Sequence, residues 1–403
     1  MISPAKPAKI KAKLAARPYF AALDGFRGLF AILIAVHHTN WFSYLNYRTF
    51  IDDAFFMLDM FFAFSGFLMF TLYRNNLQNA SQAKSFIGRR FARLYPLHLF
   101  TFGLFFAFAL FRLWAHKVGL ATHEPGEVLP FSPEAADNWW SAFTNLTLTH
   151  SMGLNNSLSF NAPSWTISVE FFAYFVFAAM MLWAPPKKLW HFALMALGVG
   201  GAYAALYNLK PNMDITYDYG FLRCLGGFFT GVLGAWAYSK VRSRQEANPT
   251  TAKTMTLKMA SVLEVIYLVI CSVFIYFSGG ILQFFAAPLI LGFVVLFAMD
   301  GGYISKFMGL PVFRYLAKIS YSVYMNHFFL AIIFGVVGTR LFPGIVSGGD
   351  GSGWAGDLYL IPYLAAVIMM SHLTYHYIEV PGGKWIGSRL KRRQAAAGTA
   401  ART

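Results

Sequence analysis

Arg27 and His38 stand eleven residues apart in an apolar stretch. On a helix that is close to three turns, so the two side chains share a face, about 20° apart around the axis and roughly 16 Å apart along it. A fixed cation then lies near the water boundary and a titratable imidazole lies well inside the bilayer. Ionisable groups at that depth are costly and mark function. His37 falls about 80° to the other side of Arg27. Asp59 and Glu170 lie early in two other apolar stretches, each some 8 to 11 Å below the outer surface by helical rise. His38 reaches a similar level from the inner side, so two carboxylates and an imidazole can meet in one layer. A carboxylate bonded to the imidazole would set its tautomer and stabilise its protonated form; a structural ion pair without chemistry is the alternative.

Arg89, Arg90 and Arg93 form a second cluster. The stretch from Ser85 to Pro96 reads as an amphipathic helix at the inner surface, stopped by Pro96. Arg89 and Arg93 share a face, and Arg90 and Arg93 are three apart. Guanidinium forks match phosphate oxygens, on a ligand or on lipid headgroups. Asp24-Gly25 is placed to cap the first span, leaving Arg27 in its first turn. A cation there opposes the helix macrodipole, which points to an anion contact; snorkelling is the alternative.

The elements that carry these residues are membrane helices. Of the 403 residues, 57% are hydrophobic, 12% charged and 18% aromatic. A soluble chain has about 25% charged residues, so the expected fold is all-α, a polytopic bundle. Ten spans are expected, near 27–45, 54–73, 97–115, 163–183, 190–208, 219–239, 259–277, 280–299, 319–340 and 357–378, each suited to about 30 Å of hydrocarbon. A Ser278-Gly279-Gly280 turn separates the seventh and eighth. The connections alternate in charge. One set is basic: Lys6, Lys9, Lys11, Lys13 and Arg17; Arg74 to Arg93; Lys187 and Lys188; Lys240 to Lys258; Lys306, Arg314 and Lys318; Lys384 to Arg393. The other carries Asp52, Asp53, Glu124, Glu127, Glu134, Asp137, Asp214, Asp218, Asp350 and Asp357. Basic loops stay inside, which puts both termini in the cytoplasm. The formal charge of +16 is then topology and headgroup contact. Dispersed basic loops give no continuous patch for nucleic acid. Cys224 and Cys271 fall within spans and suggest neither a disulfide framework nor a metal site. No internal repeat, P-loop or Rossmann glycine pattern is present. The expected organisation is a basic tail over 1–22, a membrane domain over 23–385 and a second basic tail over 386–403.

Several motifs, in order along the chain, carry a resemblance. They are Leu23-Asp24-Gly25-Phe26-Arg27-Gly28 with His38; Leu58-Asp59-Met60-Phe61-Phe62-Ala63-Phe64-Ser65-Gly66; and Arg89-Arg90-Phe91-Ala92-Arg93-Leu94-Tyr95-Pro96. Then come Trp165-Thr166-Ile167-Ser168-Val169-Glu170 with Tyr174, Ile319 to Tyr324 with His327, and Tyr377-Ile378-Glu379-Val380-Pro381. Together they resemble the acyltransferase 3 family of bacterial integral-membrane enzymes that O-acylate surface sugars. Asn326 and Phe residues replace the family's Trp and Pro around the late His, and Phe171 replaces its frequent second acid. No esterase-like domain is expected after the last span.

The resemblance implies a multi-pass protein of the bacterial inner membrane that moves an acyl group, acetyl most readily, from cytoplasmic acyl-CoA to a carbohydrate hydroxyl. The acceptor would be a polysaccharide, glycolipid or glycoside. No metal is called for. Arg27, Arg89, Arg90 and Arg93 would hold the CoA phosphates, and a passage would carry the thioester inward to His38. His38 would act as general base, with Asp59 or Glu170 orienting it, or as a covalent relay. Ser65, Ser168, Tyr174 or Trp165 could donate to the oxyanion; for Ser65 beside Gly66, close helix packing is the simpler role. The rival reading is a secondary transporter or lipid-linked sugar flippase, which shares the spans and the buried acids; an inert scaffold leaves the aligned Arg27 and His38 unexplained.

Overall fold

Backbone inside hydrocarbon must satisfy its own hydrogen bonds, and apolar runs of this length do so as helices. The computed structural model describes residues 18–45, 55–120, 128–247, 256–278, 280–344 and 353–400, and their regular elements are all helical. The helices are α1 (Ala21–His37), α2 (Phe55–Tyr73), α3 (Ala80–Lys117), α4 (Trp139–Leu146), α5 (Trp165–Trp183), α6 (Leu189–Leu209) and α7 (Gly220–Ala247). They continue with α8 (Leu257–Phe277), α9 (Ala286–Ala298), α10 (Tyr303–Met308), α11 (Pro311–Leu341), α12 (Trp354–Thr374) and α13 (Val380–Ala400). Among the described residues, nine segments are long and apolar enough to cross a membrane. The helix α1, with 17 residues, is shorter than these; it lies where the first span was expected over 27–45, but starts six residues earlier and ends at His37. The charged residues Lys6, Lys9, Lys11, Lys13, Arg17, Asp52, Asp53, Glu124, Glu127, Lys253 and Asp350, and Gly279, lie outside the described residues.

The core is built around α7, which packs on α2, α6, α9 and α5. Between α2 and α7 backbone meets backbone: a Cβ on Gly66 would strike the Phe228 carbonyl, and one on Gly231 the Ala63 carbonyl. In lipid the hydrophobic effect does not drive helices together, so small residues that permit close packing do this work. A second group joins α1, α11 and α12.

Two carboxylates staple the ends of these groups. Asp300, after α9, caps α1: its Oδ2 accepts from Ala21 N (3.2 Å) and its Oδ1 from Ala22 N (2.9 Å). Burial pushes its carboxyl above the usual range, and the two N–H donors pull it back part of the way. Asp24 therefore does not cap the helix, as its sequence position suggested. The helix starts earlier, and Asp24 instead pairs with Arg27 at 3.0 Å. Buried Glu264 of α8 accepts from the N–H groups of Gly302 (2.8 Å), Ile304 (3.0 Å) and Ser305 (3.2 Å), fixing the start of α10.

Pro96 also departs from expectation. It does not stop a surface helix; α3 runs through it for 38 residues, joining the arginine arm rigidly to the third span. Proline removes one N–H and frees the carbonyl of Ala92. The start of α13 packs there, where a Cβ on Gly383 would lie 2.9 Å from that carbonyl and one on Gly382 2.6 Å from Pro96. The last span passes through a π-turn (Tyr375–Glu379) into α13, so the expected basic tail over 386–403 is helical as far as Ala400.

Candidate active site

The motifs gather around two cavities. The first, of about 170 Å³, is walled by α1, α2, α3, α5 and α11. Arg27, Arg90 and Arg93 line it, with Glu170, Ser65, Tyr174 and an apolar wall that includes Leu58, Phe61, Phe64 and Ile167. Arg27 donates to Ala317 O (3.2 Å) besides pairing with Asp24. Arg93 pairs with buried Glu379, whose Oε2 also accepts from Ser322 Oγ (2.7 Å). The C-terminal Tyr377–Pro381 motif thus serves to set one guanidinium. Arg90 differs from both. It lies over the rings of Tyr73, Phe86 and Tyr174, donates to Tyr73 Oη at 3.3 Å, and pairs with no carboxylate among the described residues. Its buried Nε has no hydrogen-bond partner. Arg89 is not in this wall: it is exposed, donates to Ser85 Oγ (2.5 Å) and lies over Tyr73 from outside the cavity.

Within the first cavity Tyr174 donates to Glu170 Oε1 (2.6 Å) and accepts from Ser65 Oγ (3.0 Å). Glu170 therefore anchors a polar rung in an apolar wall. It does not reach His38.

The second cavity, of about 360 Å³, is the more polar. His37, His38, Trp165, Asn212, Asp214, Thr216, Arg223 and Gln283 are among its lining residues. His38 follows the last residue of α1, half-buried, beside His327 at the midpoint of α11. His38 Nδ1 lies 2.9 Å from Ile34 O and 3.3 Å from His327 Nε2. A carbonyl only accepts, so Nδ1 carries the proton and Nε2 keeps its lone pair. The same logic applies to His327, whose Nδ1 donates to Val323 O (3.2 Å), leaving its Nε2 to accept from His38. Two imidazoles thus run in one direction, ending in a His38 Nε2 with no protein partner among the described residues. Phe328 packs edge-on against the His38 ring.

Asp59 does not orient His38 either. It is fully buried, and its Oδ1 accepts from Arg223 Nε at 2.9 Å. Arg223, equally buried, donates through Nη1 to Met213 O (2.8 Å) and Ile215 O (3.2 Å) and lies 5.5 Å above the Trp165 ring. Gln283 Oε1 accepts from Met213 N (2.9 Å). The pair therefore clamps the 212–216 loop that walls the second cavity. The expected layer of two acids and one imidazole is resolved into three separate sets, because each acid finds a nearer partner: Glu170 the Tyr174 hydroxyl one turn along its own helix, and Asp59 the guanidinium of Arg223, 164 positions away. His327 takes the orienting place expected of a carboxylate. Arg223 is the residue sequence reasoning missed, although a lone arginine inside an expected span was an available signal; His327 stood in its motif without an assigned role.

Of the four oxyanion candidates, Ser168 is committed to structure: it donates to Leu148 O (2.6 Å) and accepts from Ser151 N (3.2 Å). Ser65 and Tyr174 face the first cavity and Trp165 the second. Instead of one continuous passage there are two cavities, with Leu58 and Tyr324 in both walls. Among the described residues no group of three or more His, Cys, Asp or Glu could hold a metal ion.

The chain is similar to known proteins over nearly its whole length. It is 23% identical to the peptidoglycan O-acetyltransferase of Listeria monocytogenes over 380 residues, which is 91% of this chain and 56% of that protein. The chain thus spans just over half the length of that relative. It is 29% identical over 168 residues to protein 2 in the picA locus of Rhizobium radiobacter, covering 40% of this chain and 81% of that one. No solved structure matches it. The family model described as an acyltransferase domain matches residues 20–373, which include every residue of the two cavities, and the chain belongs to this acyltransferase 3 family of multi-pass membrane proteins.

Proposed function

We propose that this protein transfers an acyl group, acetyl in the first instance, from a cytoplasmic acyl-CoA to a hydroxyl of a cell-envelope carbohydrate. The observation that carries the reading is the pair of facing cavities, one rimmed by guanidinium groups and one presenting the lone pair of His38. CoA is a polyphosphate head on a long thin arm ending in a thioester. Arg27, Arg90 and Arg93 suit the phosphates, and the narrow apolar wall with its Glu170–Tyr174–Ser65 rung suits the amide-bearing arm. The roomier polar cavity suits a sugar. Orientation with the arginine mouth on the cytoplasmic side follows from the basic loops. The membrane is then the bacterial inner membrane, where cytoplasmic donor and exported acceptor meet.

In this mechanism the sugar oxygen attacks the thioester carbonyl as His38 Nε2 takes its proton. A carbon–oxygen bond forms, the carbon–sulfur bond breaks, and the proton goes on to the leaving CoA sulfur. The base is needed because a sugar hydroxyl is too weak an acid to ionise by itself at neutral pH. His327 Nε2 accepts from His38 Nδ1–H and supports the imidazolium. Glu170 serves the donor side, and Asp59 acts through Arg223 on the acceptor side.

The test is thiol release from acetyl-CoA by purified protein, with and without a sugar acceptor, together with the mass of envelope glycans from cells with and without the intact gene. An acceptor-dependent release and a gene-dependent gain of one acetyl unit are expected. No acyl-CoA turnover under any acceptor would end this reading and favour transport.

A further inference from the structure

The two cavities meet at two side chains. Leu58 and Tyr324 are the residues common to both linings. Tyr324 is buried, and its hydroxyl bridges the two sides: it accepts from Thr166 Oγ1 (3.0 Å), which lines the arginine cavity, and donates to Pro163 O (2.8 Å), which lines the histidine cavity. Its ring lies 5.7 Å from the His327 ring and 6.1 Å from that of Phe61. The partition between the arginine mouth and the paired imidazoles is therefore one layer of side chains thick. Leu58 sits next to Asp59, whose pairing with Arg223 fixes that turn of α2.

We propose that Leu58 and Tyr324 form a valve that sets the acyl length of the donor and keeps acceptor-side water from the thioester. The inference rests on the acyl-transfer reading. For transfer, the acyl carbonyl must pass from the arginine cavity to within reach of His38 Nε2, and only the acyl group itself has to cross. A two-carbon group needs the least displacement of Leu58 and the Tyr324 ring. Each further methylene must be housed against the packed wall of Phe61 and Tyr324, and an ill-fitting methylene in an apolar site costs about 10- to 200-fold in discrimination. The Tyr324 hydroxyl, hung between Thr166 and Pro163, holds the valve shut. When it is loosened, water takes the place of the sugar hydroxyl, giving a free carboxylic acid and CoA thiol.

The experiment measures thiol release and acyl transfer from acetyl-, propionyl-, butyryl- and octanoyl-CoA. Wild-type protein should fall at least about tenfold in kcat/KM with each of the first steps in length. Leu58→Ala should raise the butyryl-to-acetyl ratio about tenfold. Tyr324→Phe keeps the ring and the Thr166 hydroxyl, and should raise acceptor-independent hydrolysis relative to transfer several-fold. A flat wild-type length profile overturns the valve whatever the variants do. So do variants that turn over acetyl-CoA with the wild-type length profile and partition, and that result leaves acyl transfer itself intact. If wild-type protein consumes no acyl-CoA at all, the valve falls together with the reading on which it rests.

Discussion

The arginine cavity and the histidine cavity each have a carboxylate nearby, half-buried Glu170 and fully buried Asp59, and each uses it differently. Glu170 lines its cavity and accepts from the Tyr174 hydroxyl, which in turn accepts from Ser65; both hydroxyls also line it. Asp59 lines neither cavity and works one step away, through Arg223, on the carbonyls of a loop. The first cavity is thus built on continuous helices, with its cations on α1 and the rigid 38-residue α3. The second depends on a connection, residues 212–216, held by buried side chains. A rigid rim suits a ligand that is the same in every turnover, and a loop suits the partner whose identity varies between proteins. On the proposed reading, damage to one cavity should be felt by the donor and damage to the other by the acceptor.

The largest expected effect lies at the imidazole. His38→Ala removes the only lone pair that the paired histidines present to the second cavity, and general bases contribute about 10²- to 10⁴-fold. Turnover should fall by that factor, while binding of CoA to the arginine cavity, read by calorimetry, stays as in wild type. A loss of CoA binding in this variant would mean that the cavities are not separable.

Asp59→Asn comes next. Breaking a buried pair leaves an uncompensated cation, at a cost of about 3 kcal/mol or more. Arg223 would lose its charge partner while keeping the carbonyls of Met213 and Ile215. Thermal stability in detergent should drop, and the acceptor KM should rise several-fold with the donor KM little changed. A change confined to the donor KM would move Asp59 to the arginine side and undo the contrast between the two acids.

Hydropathy made the helices legible, because a span must be apolar along its length and the spans recur at bilayer length. The motif residues were legible as types. Their pairings were not. His38 meets His327 across 289 positions, Asp59 meets Arg223 across 164, and the cap of α1 comes from Asp300, 279 positions on. No local period encodes contacts of that range. Asp24 looked like a cap because it stands where a helix could start, but the true start needs an acceptor from another element. Pro96 looked like a stop because proline breaks helices in water. In lipid, with α13 packed beside the freed carbonyl, the helix continues. Arg89 shows the limit of counting along a helix: four residues from Arg93, it shares a helix face by count, yet its exposed side chain folds back to Ser85 and over Tyr73, outside the cavity lining.

That difference among the arginines gives the finest test of the comparison. Among the described residues Arg90 has no carboxylate partner; it rests on three aromatic rings and keeps a buried Nε unbonded. Its charge is not neutralised locally, so it is the cation most available to an entering phosphate. Charge-assisted hydrogen bonds contribute about 1.5–3 kcal/mol, so Arg90→Ala should raise the donor KM about tenfold or more with acceptor KM unchanged. Arg93 is held by Glu379, and Arg93→Ala would strand that buried acid, mixing a stability loss into any kinetic one. Arg89→Ala removes an exposed charge bonded to its own helix, an arrangement that contributes about 1 kcal/mol or less. The donor KM should then move less than about threefold, and less again in high salt, where exposed charges are screened. If Arg89→Ala matched Arg90→Ala in its effect on the donor, the phosphates would have to lie outside the cavity along the surface of α3, and the arginine cavity would hold only the arm.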